Sequence, residues 1–157
     1  MNIKRLIRDI GFMTKMTSVS RANYARKKNI FNSIGDNVRL PFMRLPLYPQ
    51  LVTFHNNIEI ASRVSFITHD AIHGVLNSCL AGEGYHFEEQ KFHIEVFDNV
   101  FIGANSIIIG NVKIGPNAII GAGSIVNKNV PEGCIYAGVP AKKIGEFKDL
   151  VNKRKKE

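Results

Sequence analysis

An aliphatic residue recurs at every sixth position through the second half of this sequence. The series runs through Val96, Ile102, Ile108, Ile114, Ile120 and Val126. The position four residues after each member is always small or β-branched, in the series Val100, Ser106, Val112, Ala118, Ser124 and Val130. The same phase appears upstream at Phe54, Ile60 and Phe66. A helix would repeat near 3.6 residues and a strand near two, so neither regular element explains the pattern.

A six-residue period is typical of a short strand followed by a turn, with the aliphatic side chain pointing inward each time. Three such units form one triangular coil, and stacked coils bury a continuous aliphatic column. Each coil is stable only against its neighbours, so the rod needs several coils and covered ends. Asparagine and glycine suit the corners because they tolerate left-handed backbone angles. We expect such angles at four asparagines: Asn99, Asn105, Asn111 and Asn117.

The stretch 102–144, which reads IGANSIIIGNVKIGPNAIIGAGSIVNKNVPEGCIYAGVPAKKI, resembles the hexapeptide-repeat acyltransferases. Within that family it is most similar to the sugar and polysaccharide O-acetyltransferases. The resemblance implies an all-β core, folded as a left-handed parallel β-helix of hexapeptide repeats. It also implies acetyl-CoA as cosubstrate, a homotrimer with its sites between subunits, and no requirement for a metal.

The repeats define a β-helix domain over residues 30–145, between a basic N-terminal helical segment (1–29) and a basic C-terminal helix or tail (146–157). Apolar residues at helical spacing from Ile3 to Met13 predict a short amphipathic helix, followed by a less regular basic segment. We expect this region to cover the open end of the β-helix. Phe147, Leu150 and Val151 predict a short helix after the last coil.

Two segments interrupt the repeat. Pro41, Pro46 and Pro49 break strand pairing between residues 40 and 50, which predicts an irregular excursion. From residue 71 to residue 95 the repeat stops, and it resumes in the same phase at Val96. This interruption predicts a loop inserted between intact coils, and loops on a rigid scaffold commonly carry function.

Basic residues are concentrated at the two ends of the chain, whose formal net charge is +8. Eight lie within residues 4–28, and four more are Lys153, Arg154, Lys155 and Lys156. No aromatic-rich basic motif or zinc-finger spacing accompanies them, so we do not expect nucleic acid as a partner. Two interpretations stay open, a solvated basic surface and contact with an anionic membrane surface.

The composition is otherwise that of a soluble globular protein, with 45% hydrophobic and 22% charged residues. No apolar run approaches the roughly 20 residues of a membrane-spanning helix, and no secretory signal is visible. Cys79 and Cys134 fit no metal-ligand spacing, and Cys134 is interpreted as a buried thiol rather than a nucleophile. We expect a cytoplasmic protein.

Acetyl transfer from a thioester needs a base for the acceptor proton, and histidine suits this role because its pKa lies near neutral pH. The sequence offers five histidines: His55, His69, His73, His86 and His93. His69 closes the last regular coil before the inserted loop. The string ITHD at residues 67–70 resembles the region around the catalytic histidine of sugar O-acetyltransferases. The resemblance implies that His69 removes the acceptor proton while the acceptor oxygen attacks the thioester.

Asp70 is the second catalytic candidate, and it can orient His69 only if the chain turns there, because neighbouring strand side chains point to opposite faces. Three carboxylates of the loop are alternatives: Glu83, Glu88 and Glu89. A backbone carbonyl is another. Serine acetyltransferases of the wider family pair their histidine with an aspartate one coil earlier. Here the corresponding residues 54–57 contain no carboxylate, which disfavours serine as the acceptor.

The string YAGVPAK at residues 136–142 closely resembles the family's turn after the last coil, where the chain contacts pantetheine and a basic residue faces phosphate. Small residues let a thin pantetheine arm approach the backbone, and lysine neutralises phosphate as a point charge. The predicted cofactor-binding residues are Gly103, Ala104, Gly121, Ala122, Pro140, Ala141 and Lys142. Backbone N–H groups at Gly103 and Ala104 are also candidate donors to the oxyanion.

Other functions stay open on the same fold. A zinc-dependent relative of the γ-class carbonic anhydrases would use three histidines, and His69 and His73 with His86 or His93 could supply them. A non-catalytic scaffold needs none of them. Within the acyltransferases, the ITHD string favours a saccharide hydroxyl as the acceptor, with an amino-sugar amine, a xenobiotic hydroxyl and serine as alternatives. The acceptor would meet the loop 71–95.

Overall fold

The computed structural model describes residues 3–155, so Lys156 of the basic C-terminal run lies outside the described residues. Its centre is a rod of stacked coils. Most strands of the rod are only two or three residues long, and each pairs in parallel with strands of the neighbouring coils. This pairing satisfies the backbone of one coil only through the next, as the six-residue repeat predicts.

Three sheets form the faces of the rod. Sheet A contains β1 (Ser33–Ile34), β3 (Val52–Phe54), β6 (Ile94–Val96) and β9 (Val112–Ile114). Sheet B contains β2 (Val38–Arg39), β4 (Ile58–Ile60), β7 (Val100–Ile102), β10 (Ile119–Ile120), β12 (Cys134–Gly138) and β13 (Ala141–Glu146). Sheet C contains β5 (Ser65–Ile67), β8 (Ile107–Ile109) and β11 (Ile125–Val126). The chain visits A, B and C in turn, so each circuit is one coil, with edges that we call AB, BC and CA.

The six-residue series forms the core of the rod. Its members from Val96 to Val126 are each at most 1% exposed, and the small-position series from Val100 to Val130 is at most 2% exposed. Upstream, Phe54, Ile60 and Phe66 continue the buried column. Burial of one such aliphatic side chain contributes about 1.5–3 kcal/mol, so the column is the main source of stability. The prediction of an inward-pointing repeat is confirmed.

The corners confirm three of the four expected asparagines. Asn99, Asn105 and Asn117 have φ angles of 59°, 59° and 54°. Asn111 does not belong with them, because the preceding Gly110 takes the positive φ of 82°. The side chain of Asn111 instead accepts a hydrogen bond from the backbone N–H of His93 at 2.8 Å.

An asparagine ladder runs along edge AB. Asn37, Asn57, Asn99 and Asn117 occupy equivalent corners in successive coils, with φ angles between 53° and 59°. Each side-chain amide donates to the amide oxygen of the next asparagine, at 3.0–3.1 Å. The ladder satisfies polar groups at a corner where the backbone is left-handed.

Two helices, α1 (Ile3–Met13) and α2 (Ser18–Lys27), precede the rod. The predicted amphipathic helix is confirmed as α1, but the expectation of a less regular segment after it is wrong. A capping box between Thr17 and Ser20 marks the start of α2. The sequence of α2 has few apolar residues, so hydrophobic spacing did not predict this helix.

The guanidinium of Arg21 fastens α2 to the first coil. It is only 6% exposed and donates to the carbonyl oxygens of Leu40 at 2.8 Å, Lys15 at 2.6 Å and Pro41 at 3.2 Å. Phe12 of α1 is fully buried, with its ring centroid 6.0 Å from that of Phe42. These contacts cover the first coil, whose sheet C strand is replaced by the irregular segment 40–48 and a 3-10 turn, Pro49–Leu51.

The inserted segment differs from the expected loop because it contains a helix, α3 (Ile72–Cys79). Strand β6 also begins at Ile94, two residues before the phase returns at Val96, so the insertion ends at residue 93. None of the residues of α3 is buried, and Gly74 lies within it. A short exposed helix leaves no hydrophobic period in the sequence, which explains why the prediction was of a loop.

The last coil ends in an antiparallel hairpin of β12 and β13, which the sequence did not predict. Its turn contains a cis peptide bond between Val139 and Pro140. The predicted C-terminal helix is confirmed as α4 (Phe147–Arg154).

Candidate active site

His69 lies at edge CA, directly after β5 and at the base of the inserted segment. Two backbone hydrogen bonds fix the chain on either side of it. The N–H of Phe92 donates to the carbonyl oxygen of Thr68 at 2.8 Å, and the N–H of Asp70 donates to that of Gln90 at 3.1 Å. The two ends of the insertion thus hold His69 at a defined position on the rod.

The imidazole of His69 packs against an aromatic ring that the sequence did not single out. The Tyr48 ring stands perpendicular to it, at an interplanar angle of 84° and with centroids 5.5 Å apart. The Tyr48 hydroxyl donates a hydrogen bond to Glu89, and this bond raises the pKa of Tyr48 above its usual value of 10.0. The ammonium of Lys91 lies 5.0 Å from the centroid of the same ring. Tyr48 therefore connects His69 to two charged side chains of the insertion, Glu89 and Lys91.

The Nδ1 atom of His69 is buried and has no hydrogen-bond partner within the described chain. Asp70 does not supply one, and its carboxylate instead accepts from the backbone N–H of Ile72 at 3.2 Å, which supports the start of α3. The prediction that Asp70 orients His69 is not supported by this geometry. Among the alternative carboxylates, Glu89 is engaged by Tyr48 instead.

A cavity of about 240 Å³ opens beside His69, between β5 and the irregular excursion of the first coil. Phe42, Leu45 and Leu47 line one side, and Ile67 with His69 lines the other. Arg44 contributes a charged group to the lining. The cavity is large enough for a small molecule, which would lie against the imidazole.

Four of the predicted cofactor-binding residues lie together at edge BC, which is a different edge from that of His69. They are Gly103, Ala104, Gly121 and Ala122. A Cβ on Gly103 would lie 2.4 Å from the backbone nitrogen of Ala122, and a Cβ on Gly121 would lie 2.8 Å from the Cβ of Ala137. The two glycines are therefore required for the stacking of coils, whatever else this edge contacts.

The Gly103 N–H is not available as an oxyanion donor, because it donates to the carbonyl oxygen of Ile120 at 2.8 Å in the ladder between coils. That part of the prediction is corrected by the structure. Ala122 is exposed at the outer side of the corner, so edge BC presents small side chains to solvent.

The other three predicted residues, Pro140, Ala141 and Lys142, lie at the tip of the β12–β13 hairpin. They line a cavity of about 380 Å³ together with Asn127 and Lys128. Asn127 and Lys128 follow β11 at edge CA, two coils beyond His69, and two strand spacings amount to about 10 Å. No residue pattern in the sequence pointed to Lys128, because contact with the hairpin depends on how the chain folds back after the last coil.

The two lysines of the hairpin differ in their electrostatic partners. Lys143 forms an ion pair with Glu146, which raises the pKa of Lys143 and lowers that of Glu146, in each case mainly through their hydrogen bond. Lys142 is exposed at the cavity. Of the two, Lys142 is therefore the better placed to meet an anionic ligand.

The described residues contain no ligand set for the zinc site of the alternative interpretation. Among residues 3–155, no group of three or more His, Cys, Asp or Glu side chains is placed to hold a metal ion. The two cysteines are free, with Cys134 buried as expected and Cys79 exposed on α3.

Comparison with known proteins identifies the repeat. Residues 93–128 match the family described as "Bacterial transferase hexapeptide (six repeats)". Over 117 residues the chain is 37% identical to the galactoside O-acetyltransferase of Escherichia coli (strain K12). The repeat at residues 93–128 is therefore that of the hexapeptide-repeat transferases. It is also 34% identical over 113 residues to the serine acetyltransferase of Buchnera aphidicola subsp. Acyrthosiphon pisum (strain APS).

These alignments cover 74% and 72% of this chain, but only 54% and 36% of the two relatives. The chain thus spans about half the length of the galactoside enzyme and less of the serine enzyme. A solved galactoside acetyltransferase in complex with coenzyme A superposes with a TM-score of 0.66 at 24% identity, covering 96% of this chain and 82% of that one. This likeness establishes the fold as the predicted left-handed parallel β-helix.

Proposed function

We propose that this chain is a hexapeptide-repeat O-acetyltransferase that moves acetyl from acetyl-CoA to a hydroxyl of a saccharide. The observation that carries the proposal is the placement of His69, at a coil edge, against Tyr48 and in the wall of a cavity. The similarity to the galactoside O-acetyltransferase supports the choice of a sugar acceptor. The proposal assigns the cavity beside His69 to the acceptor.

The reaction needs one base and no covalent intermediate. His69 accepts the proton of the acceptor hydroxyl as that oxygen attacks the thioester carbonyl carbon. A carbon–oxygen bond forms, the carbon–sulfur bond breaks, and the proton passes from the imidazolium to the leaving CoA sulfur. The products are the acetyl ester of the sugar and free CoA thiol. Nδ1 of His69 has no hydrogen-bond partner within the described residues. In this proposal, the group that orients the imidazole through Nδ1 is therefore supplied in the assembled protein.

The donor fits the hairpin cavity of Pro140, Ala141, Lys142, Asn127 and Lys128. A cationic side chain there can neutralise a CoA phosphate, and about 10 Å of edge CA leads from this cavity toward His69. Acetyl-CoA is long enough to reach from one to the other. Its chemistry is supplied by the thioester, while the chain positions it and accepts the proton.

In this proposal, edge BC contributes to the acetyl-transfer site of a neighbouring subunit and not to that of its own chain. The small residues Gly121 and Ala122 lie at edge BC and His69 at edge CA, so sheet C separates them within one chain. In a homotrimer, edge BC of one subunit can face edge CA of the next. We therefore propose a trimer whose sites lie between subunits, with each site using His69 of one chain and the small-residue corner of its neighbour.

The proposal is tested first without knowledge of the acceptor. Thermal unfolding is followed with acetyl-CoA, and a ligand at about 100 times its Kd stabilises by about 2.7 kcal/mol. We expect a saturable rise in Tm that persists in His69→Ala and is reduced in Lys142→Ala. Absence of a shift at millimolar acetyl-CoA, in a folded protein, would remove the donor from the proposal.

The second step measures release of CoA thiol with a panel of glycosides, amino sugars and serine. Loss of a general base lowers turnover by about 10²–10⁴-fold, so His69→Ala should be nearly inactive. His86→Ala is the matched control, because His86 is exposed on the insertion and its side chain makes no hydrogen bond within residues 3–155. Equal rates for the wild type and His69→Ala would overturn the assignment of the base, and acetylation of amines alone would redirect the proposal to N-acetyl transfer.

A further inference from the structure

Helix α1 turns its apolar face away from the protein. Ile3, Ile7 and Ile10 are 72%, 64% and 51% exposed, and Leu6 and Met13 are exposed beside them. We call these five residues the apolar stripe. Phe12 alone of the apolar side chains of α1 is buried, and at 100° per residue it lies on the opposite side of the helix.

This orientation is the reverse of the usual one. A surface helix normally packs its apolar stripe on the core and leaves charged residues in solvent. In α1 the charged residues are the partly buried ones, since Arg5, Arg8 and Asp9 lie toward the protein and pair with each other. The apolar stripe is therefore not explained by folding of the single chain.

The net charge of the segment that carries the apolar stripe limits what can cover the stripe. Residues 1–28 contain eight basic side chains and one acidic, whereas residues 29–157 contain 13 basic and 12 acidic. Nearly the whole net charge of the protein thus belongs to the segment before the rod. A second copy that packed its own stripe against this one would bring two strongly positive segments together, so charge complementarity favours an anionic surface.

We propose that α1 binds the surface of an anionic lipid bilayer, with the apolar stripe inserted at the boundary between headgroups and acyl chains. An eleven-residue helix is about 16 Å long, which suits a helix lying in the plane of the surface. No helix in the described part of the chain has the length and apolar character to cross a bilayer. The inference does not depend on the proposed acetyl transfer.

Phe12 and Arg21 make this geometry stable in the absence of lipid. Phe12 packs on Phe42, and Arg21 joins α2 to the carbonyl oxygens of the first coil. The helix pair is thereby attached to the rod with the apolar stripe outward. Binding requires no unfolding of this attachment, so the full chain can dock as it stands.

The test is flotation of the purified full-length protein with vesicles of phosphatidylcholine alone or containing about 30% phosphatidylglycerol. We expect binding that rises at least about tenfold with the anionic lipid and falls at about 0.5 M salt. The double variant Ile7→Asp with Ile10→Asp should lose it. Val75→Asp is the matched control, because Val75 is 70% exposed on another short helix, α3.

Circular dichroism and the oligomeric mass of each variant accompany the flotation. Binding lost in the stripe variant, with an unchanged spectrum and mass, supports the proposal. Absence of binding to anionic vesicles, or equal binding by the stripe and wild-type proteins, overturns it. A stripe variant that changes the oligomeric mass while the wild type ignores vesicles would show that a second copy covers the stripe, which also overturns it.

Discussion

The Tyr48 ring stands perpendicular to the His69 imidazole, with 5.5 Å between their centroids. Tyr48 comes from the excursion of the first coil and His69 from the end of β5, so two neighbouring coils converge at this point. The Tyr48 hydroxyl is directed to Glu89 of the insertion. The ring of Tyr48 therefore contacts His69 while its hydroxyl contacts Glu89, and different substitutions of Tyr48 can separate the two effects.

We predict that the ring of Tyr48 positions His69 for catalysis. Tyr48→Ala removes the surface against which the imidazole packs, and small displacements of a catalytic group cost about 10²-fold or less in rate. We expect kcat to fall by about tenfold or more with KM for acetyl-CoA unchanged, and Tyr48→Phe to stay within about threefold of the wild type. Steady-state release of CoA thiol with the identified acceptor measures both. Equal losses in the two variants would assign the effect to the hydroxyl instead.

Stacking of the coils predicts opposite effects for two glycine substitutions. Gly103→Ala places a Cβ 2.4 Å from the backbone nitrogen of Ala122, and overpacking of this kind costs about 1–3 kcal/mol. Gly74→Ala meets nothing within 4 Å and replaces glycine in α3, where alanine is favoured by up to about 1 kcal/mol. Thermal unfolding should show a Tm several degrees lower for Gly103→Ala and no decrease for Gly74→Ala. A Gly103→Ala protein as stable as the wild type would contradict the close approach of these coils.

The sequence predicts the rod well because its period is imposed by the fold itself. Each member of the series from Val96 to Val126 must point inward for the coils to stack, so spacing alone identifies the core. The sequences of helices α2 and α3 show no comparable hydrophobic period. The first is stabilised by the hydrogen bonds of Arg21 to carbonyl oxygens, and the second has no buried residue. Neither cause produces a hydrophobic period.

The candidate site is predictable where it depends on the order of the coils and unpredictable where it depends on contacts between distant segments. His69 could be chosen because it ends the last coil before the insertion. Its ring contact with Tyr48 joins two neighbouring coils. Lys128 lines a cavity with the hairpin only because the chain folds back after β12. Asp70 shows the limit of adjacency in sequence, since its carboxylate accepts from the backbone N–H of Ile72 and does not contact Nδ1 of His69.

The asparagine ladder predicts a difference between alanine and glycine at one corner. Asn57 has a φ of 56° and bonds to Asn37 and Asn99 through its side chain. Asn57→Ala loses both hydrogen bonds and must also hold a left-handed backbone, which costs an L-residue about 1–2 kcal/mol. Asn57→Gly loses the bonds without that strain. We expect Asn57→Gly to have the higher Tm of the two variants, and the reverse order would show that the corner relaxes.

The carboxylate of Glu95 predicts a loss of stability in acid. Its hydrogen bond to His55, at 3.0 Å, and the nearby Lys113 ammonium, at 3.4 Å, lower its pKa below the ordinary value of 4.5. A carboxyl group with a lower pKa in the folded state stabilises the protein above its unfolded pKa, and this contribution disappears as the pH falls through the folded value. The wild-type Tm should therefore drop as the pH is lowered below about 4.5, partly because Glu95 becomes protonated.

Substitution isolates this contribution. Glu95→Gln cannot ionise, so we expect its Tm to lie below that of the wild type near neutral pH and to converge with it in acid. Glu83→Gln is the control, because Glu83 is exposed on the insertion and forms no ion pair in the described part of the chain. The measurement is Tm by scanning calorimetry at a series of pH values for all three proteins. A constant difference between Glu95→Gln and the wild type at every pH would mean that Glu95 stabilises sheet A through packing, and that its ionisation contributes nothing.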